Sequence, residues 1–143
     1  MNITATKKAS ITNLINSTNI PESLVRAVVK QMGGWESFKE SAPDITRHGI
    51  DGGFGGFIYY SDTCSFAKRN RKAVLEMATQ QADDFGVSLV KMIKGFRCMK
   101  NSTESEIIEG LAGSTQQTTV TNGLAWYAGE EVARAYCDAF DPQ

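Results

Sequence analysis

The sequence is poor in the residues that make chemistry easy to read. It has one histidine and three cysteines among 143 residues. Cys64, Cys98 and Cys137 are odd in number, far apart and without any Cys-x-x-Cys spacing, which excludes a disulfide framework and a zinc knuckle. Cys98 and Cys137 sit among apolar neighbours and are expected to act as small buried hydrophobes. A single histidine with scattered carboxylates has no ligand spacing, so no metal and no cofactor is expected. No apolar run approaches the ~20 residues needed to cross a bilayer, so a membrane partner is not expected either. The net charge is −1, which excludes a uniformly basic nucleic-acid binder and a strongly acidic nucleic-acid mimic. The start, Met1–Ser10, is polar with Lys7 and Lys8 and lacks the apolar core of an export signal. A cytoplasmic location, in a reducing compartment, is expected.

What is present is an ordinary globular composition, 41% hydrophobic and 22% charged. At this length one core serves one compact unit. Residues 1–18 are expected to be an N-terminal segment, part helical or mobile, and 19–143 a single helical domain.

The patterning is mostly helical. Asn19-Ile20-Pro21-Glu22 reads as a helix start. Leu24, Val25, Val28, Val29 and Met32 form an apolar stripe that Gly33-Gly34 ends. Trp35–Ala42 reads as a short helix stopped by Pro43, with Asp44 capping one further turn. A helix capped by Ser61 or Asp62 is expected to run to Phe85 before Gly86, and Val87–Phe96 makes a shorter one. Thr103 with Glu106 three residues on forms a capping box for a helix through Leu111 that Gly113 closes. The last helix spans about 120–140, with Val120, Leu124, Tyr127, Val132, Tyr136 and Phe140 at near-helical steps. The fold class is therefore mainly α: a compact single-domain bundle of about six or seven helices, with a Gly-rich loop and at most a short β segment at 57–60.

That loop packs five of the thirteen glycines into residues 49–56. It precedes a β-prone run, whereas a dinucleotide fingerprint follows a strand and opens a helix, and it lacks a P-loop ending. A structural turn anchored by Phe54 and Phe57 is favoured over a ligand or partner contact, and both over a phosphate cradle.

Catalysis, if any, must use His48, since it is the only histidine. Asp44 or Asp51 can orient the imidazole, and the glycine turn can bring Cys64 near, so a Cys/His enzyme can be written around His48, Asp51 and Cys64. No oxyanion signature accompanies these residues, and no catalytic residue is assigned. His48 is expected to close its helix before Gly49.

The near-neutral total conceals an uneven distribution. Residues 68–100 carry eight basic against three acidic side chains, a sum of +5, and residues 101–143 carry one basic against seven acidic, a sum of −6. Lys68, Arg69, Arg71 and Lys72 are the densest basic run. On one helix, Lys68, Arg71 and Lys72 share a face suited to an acidic protein patch or to phosphates. Glu130 and Glu131 on the last helix are candidates to neutralise that run within the fold. Partner contact is expected through Lys68, Arg69, Arg71, Lys72, Asp51 and Phe54. Trp35 and Trp126 are expected in the core, with an interface role as the alternative.

The string His48-Gly-Ile-Asp-Gly-Gly-Phe-Gly-Gly-Phe-Ile-Tyr-Tyr resembles a family of small proteins of unassigned function carried by phages, prophages and plasmids. The resemblance continues through Gly33-Gly34-Trp35-Glu36-Ser37-Phe38, Met92-Ile93-Lys94-Gly95-Phe96 and Asn122-Gly-Leu-Ala-Trp-Tyr-Ala-Gly-Glu-Glu, covering about 20–140. It implies a mobile-element context, in which small proteins often inhibit host defence, including anti-CRISPR and antirestriction proteins. The expectation is a non-enzymatic protein-binding inhibitor of that kind, with a host or phage protein as partner. A nucleic-acid-binding accessory protein using residues 68–100 is the alternative, and a small enzyme centred on His48 is a second one. A homodimer remains open.

Overall fold

The computed structural model describes residues 8–50, 55–57, 60–112 and 118–140. Eight helices occupy them: α1 (Ile11–Asn16), α2 (Glu22–Gln31), α3 (Trp35–His48), α4 (Tyr60–Arg69), α5 (Arg71–Phe85), α6 (Leu89–Lys94), α7 (Glu104–Leu111) and α8 (Thr118–Phe140). The mainly α bundle is the architecture the patterning implied. Among the described residues no helix is long and apolar enough to cross a membrane.

α8 is the axis. It buries Val120, Leu124, Ala125, Ala128, Val132, Ala133 and Tyr136, more than one stripe, which is the pattern of a helix covered on several sides. Accordingly α1, α2, α3, α4, α5 and α7 all pack on it, α3 most extensively. α1, capped by Ser10, buries Leu14 completely.

Three local features depart from the expected boundaries. Pro43 does not stop a helix: α3 runs through it to His48. Proline removes one backbone hydrogen bond inside a helix, but Phe38, Ala42 and Ile45 on both sides of it are fully buried or nearly so, and that burial outweighs the local defect. The helix expected to continue to Phe85 breaks at Asn70, whose side chain donates to the Phe66 carbonyl at 2.9 Å. A short polar side chain that competes for helix carbonyls favours such a break. Finally, no strand occurs among the described residues. Gly55–Phe57 is a turn of 3-10 helix and Tyr60 already belongs to α4; residues 58–59 lie outside the described ones. Phe57 is 2% exposed and meets Phe66 edge-on at 5.2 Å, so Phe57 is a plug for the core.

Other features follow the reading closely. Gly33 and Gly34 take φ of +99° and +105° beyond α2, angles that side-chain-bearing residues avoid. Pro21 stands at the α2 start, without a side-chain cap from Asn19. Thr103 and Glu106 form both halves of the capping box of α7, at 3.1 and 2.8 Å. Those contacts hold the Glu106 carboxyl below its usual range, the Thr103 backbone N–H first among them. Trp35 belongs to an aromatic cluster with Phe38, Tyr136 and Phe140 that closes the α3–α8 seam.

Candidate binding groove

The last turn of α2 and the junction of α4 with α5 leave an open groove of about 400 Å³, lined by Ala27, Lys30, Gln31, Phe66, Arg69 and Asn70. Its formation is local in origin. The buried stripe of α2 turns Leu24, Val25, Val28 and Val29 inward, which leaves Lys30 exposed. On the facing side Phe66 is 1% exposed and forms the floor, while the Asn70 break ends α4 and sets Arg69 at the rim. Two cations thus look onto a groove whose lining has no carboxylate. Lys68 and Lys72, at the end of α4 and the start of α5, are exposed but do not belong to its lining.

One amide links the groove to the Gly-rich segment. Gln31 Nε2 donates to the Gly56 carbonyl at 2.7 Å, and Gln31 Oε1 accepts from Arg69 Nη2 at 3.4 Å. A Cβ at Gly56 would stand 1.5 Å from the Gln31 carbonyl oxygen. The glycine is therefore required by backbone-to-backbone contact, a structural use of the Gly-rich run.

The basic run does not act as one face. Arg71 leaves it: its guanidinium donates to the Leu111 carbonyl at the end of α7, satisfying a helix terminus. Further along, Lys94 donates to the Ser102 carbonyl at 2.8 Å. The acids of α8 are also engaged inside the fold. Glu130 Oε2 accepts from the Ile50 N–H at 3.2 Å, and it and Arg97 flank Gly49. Glu131 accepts from Gln81 Nε2 at 3.1 Å and pairs with Arg134 at 3.4 Å. The two charged regions are thus partly spent on tying helices together, mostly through neutral partners.

The DUF7222 family, described as a domain of unknown function, matches residues 15–141. This chain belongs to it. No curated protein and no solved structure matches.

In this DUF7222 chain the pieces of the suggested Cys/His arrangement occupy different settings. His48 is exposed at the end of α3, which the Gly49 N–H closes on the Ile45 carbonyl at 2.7 Å. Cys64 lies half-buried on α4, where Asn122 Nδ2 of α8 donates to its sulfur at 3.4 Å. Asp51 and Phe54 lie outside the described residues. Among the described residues no three His, Cys, Asp or Glu side chains converge as a metal site.

A buried polar seam accompanies Cys64. Thr63 is fully buried and accepts from Trp126 Nε1 at 3.1 Å, which accounts for Trp126 as a packed helix-to-helix tie. Asn122 is 1% exposed, and its Oδ1 has no hydrogen-bond partner among the described residues. The one sequence signal for this seam was a lone asparagine on an otherwise apolar face of the last helix.

A second cleft, about 230 Å³, lies between the α1–α2 turn, α5 and α8, with Asp84, Glu131 and Asp138 among its lining. Its interior is laced by its own bonds: the Tyr127 hydroxyl donates to Gln81 Oε1, and Gln81 in turn reaches Glu131. Burial, with Glu131 adding to it, pushes the Tyr127 phenol well up, so it stays a hydrogen-bond donor. The groove at α2–α4–α5 differs in charge, with two cations and no carboxylate in its lining, and is the stronger candidate.

Proposed function

We propose that this DUF7222 protein is a non-enzymatic binding protein of a phage or other mobile element. It inhibits a host defence system, of the anti-CRISPR or antirestriction kind, by docking the cationic groove on an acidic surface of a defence protein in the bacterial cytoplasm. The observation that carries this reading is the groove itself: Lys30 and Arg69 line it, and its lining contains no carboxylate. Charge arranged this way selects partners and speeds encounter. The mobile-element context comes from the resemblance of the Gly-rich string and its neighbours.

A nucleic-acid ligand is less well supported. Arg71 and Lys94 are taken up by backbone carbonyls of the fold, and Phe66, the aromatic of the groove, is buried where no base can stack on it.

The test is expression of the protein in a host carrying an active defence system, scored by phage plating. Plating efficiency is expected to rise, and a tagged protein is expected to retain a defence component. Lys30→Glu with Arg69→Glu removes both effects if the groove is the docking surface. Unchanged plating in every defence background tried overturns the inhibitor reading.

A further inference from the structure

We propose that Gln31 is the positioning residue of the groove, and that the ligand it prepares Arg69 to receive is a carboxylate-bearing peptide segment. This rests on the groove being the binding surface.

The geometry of one amide carries the inference. Gln31 Nε2 is held on the Gly56 carbonyl at 2.7 Å. Rotating the amide by half a turn would set oxygen against oxygen there, so the bond to Gly56 decides which way the group faces. Oε1 is thereby directed to Arg69, whose Nη2 it meets at 3.4 Å. The Gly56 carbonyl is itself fixed, because its backbone rests on the Gln31 carbonyl and the next residue, Phe57, is locked against Phe66 in the core. Gly56 thus acts on Arg69 at one remove: it braces Gln31, and Gln31 holds the guanidinium over the groove.

A neutral acceptor at 3.4 Å is a weak hold. A carboxylate takes the remaining N–H donors of the same guanidinium in charge-assisted, two-pronged bonds, so the contact with Gln31 is kept in the bound state. Restraining a long side chain before binding lowers the entropy lost when the ligand arrives. Lys30, adjacent to Gln31 in the chain, supplies a second charge, while the half-buried Ala27 gives the aliphatic part of the segment an apolar contact. Two lining cations, no stackable aromatic and neutral amides from Gln31 and Asn70 suit a peptide better than a phosphate chain.

The experiment is titration of the full chain with a short fluorescent oligoglutamate peptide at low salt, beside an oligothymidylate of equal charge. The unmodified protein is expected to prefer the peptide. Gln31→Glu places a carboxylate in the groove that pairs with Arg69 and competes, weakening peptide binding by about tenfold or more, and Gln31→Ala weakens it by a smaller factor, on the order of threefold. The Arg69 Nε–Hε NMR signal reports side-chain order directly. It is expected to become more mobile in Gln31→Ala while the backbone spectrum keeps its dispersion, a change that a purely structural role for Gln31 does not produce. Peptide binding abolished by Lys30→Glu with Arg69→Glu but unaffected by Gln31→Ala overturns the positioning role and leaves the groove standing. Binding that survives the double charge reversal overturns the groove itself. Tighter binding of the oligothymidylate overturns the peptide assignment.

Discussion

The α3–α8 seam and the α2–α4–α5 groove are built from the same material, amphipathic helices, and use it in opposite ways. In the seam, Trp35 and Phe38 of α3 meet Tyr136 of α8 edge-on at centroid distances of 5.7 and 5.5 Å, and Phe140 packs on Tyr136 at 5.4 Å. Even the polar atoms there face inward: Thr46 Oγ1 donates to the Ala42 carbonyl at 2.9 Å and meets Cys137 Sγ at 3.5 Å. In the groove, Phe66 is sunk to the floor and the rim is Lys30 and Arg69, with one weak bond between Arg69 and Gln31. The seam spends its side chains on the fold. The groove leaves them for something else, and stability and binding should therefore separate cleanly under mutation.

The largest effect is expected in the seam. Phe38 is fully buried, stacked on Trp35 and edge-on to Tyr136. Phe38→Ala removes that volume and leaves a cavity, at a cost of about 3–5 kcal/mol, read as a lowered midpoint in urea or on heating. A loss under about 1 kcal/mol would mean that the seam can collapse around the gap and is not the rigid half of the comparison.

A smaller loss is expected where α7 meets α8. A Cβ on Gly110 would lie 2.6 Å from Val120 Cβ and 2.7 Å from its Cγ2. Valine is branched at that atom and cannot swing away, so Gly110→Ala should push the two helices apart at about 1–3 kcal/mol. Val120→Ala in the same chain removes both Cγ atoms but keeps the Cβ at 2.6 Å, and should recover only part of the loss. Failure of that pair to couple would place the strain elsewhere.

What the sequence disclosed and what it hid divide along the same line. Local chemistry was legible: Thr103 with Glu106, the Gly33–Gly34 stop and the apolar stripe of α2 are written within a few residues of where they act. Pro43 and Asn70 misled in opposite directions for one reason. A local propensity worth a few kcal/mol is set against burial that depends on residues far along the chain. Phe38, Ala42 and Ile45 carry α3 through its proline, whereas Asn70 follows a helix turn with a carbonyl within its reach. The groove was half legible. Lys68, Arg69 and Lys72 stood out as a charge run, but Arg71 gave no sign that it would leave for Leu111, forty residues away. Gln31 was invisible, because nothing local distinguishes a glutamine whose partner, Gly56, is twenty-five residues on. Lys30 was passed over for the same reason: a lone lysine at the end of an amphipathic helix reads as solvated surface until the facing element is known.

The smallest effect is the sharpest test of the comparison. Lys30→Ala with Arg69→Ala removes two exposed side chains whose sole described tie to the fold is the 3.4 Å contact with Gln31. An exposed hydrogen bond of that length contributes little, and surface substitutions away from packed features stay within about 0.5 kcal/mol. The unfolding midpoint should therefore be nearly that of the unmodified protein, measured in the same buffer, while oligoglutamate binding is lost. Cations that crowd one another repel, so a slight rise in stability fits equally well. A clear fall, comparable to that of Gly110→Ala, would show that Lys30 and Arg69 hold α2 to the α4–α5 junction. The groove would then be a second seam, and its charge would belong to the fold and not to a partner.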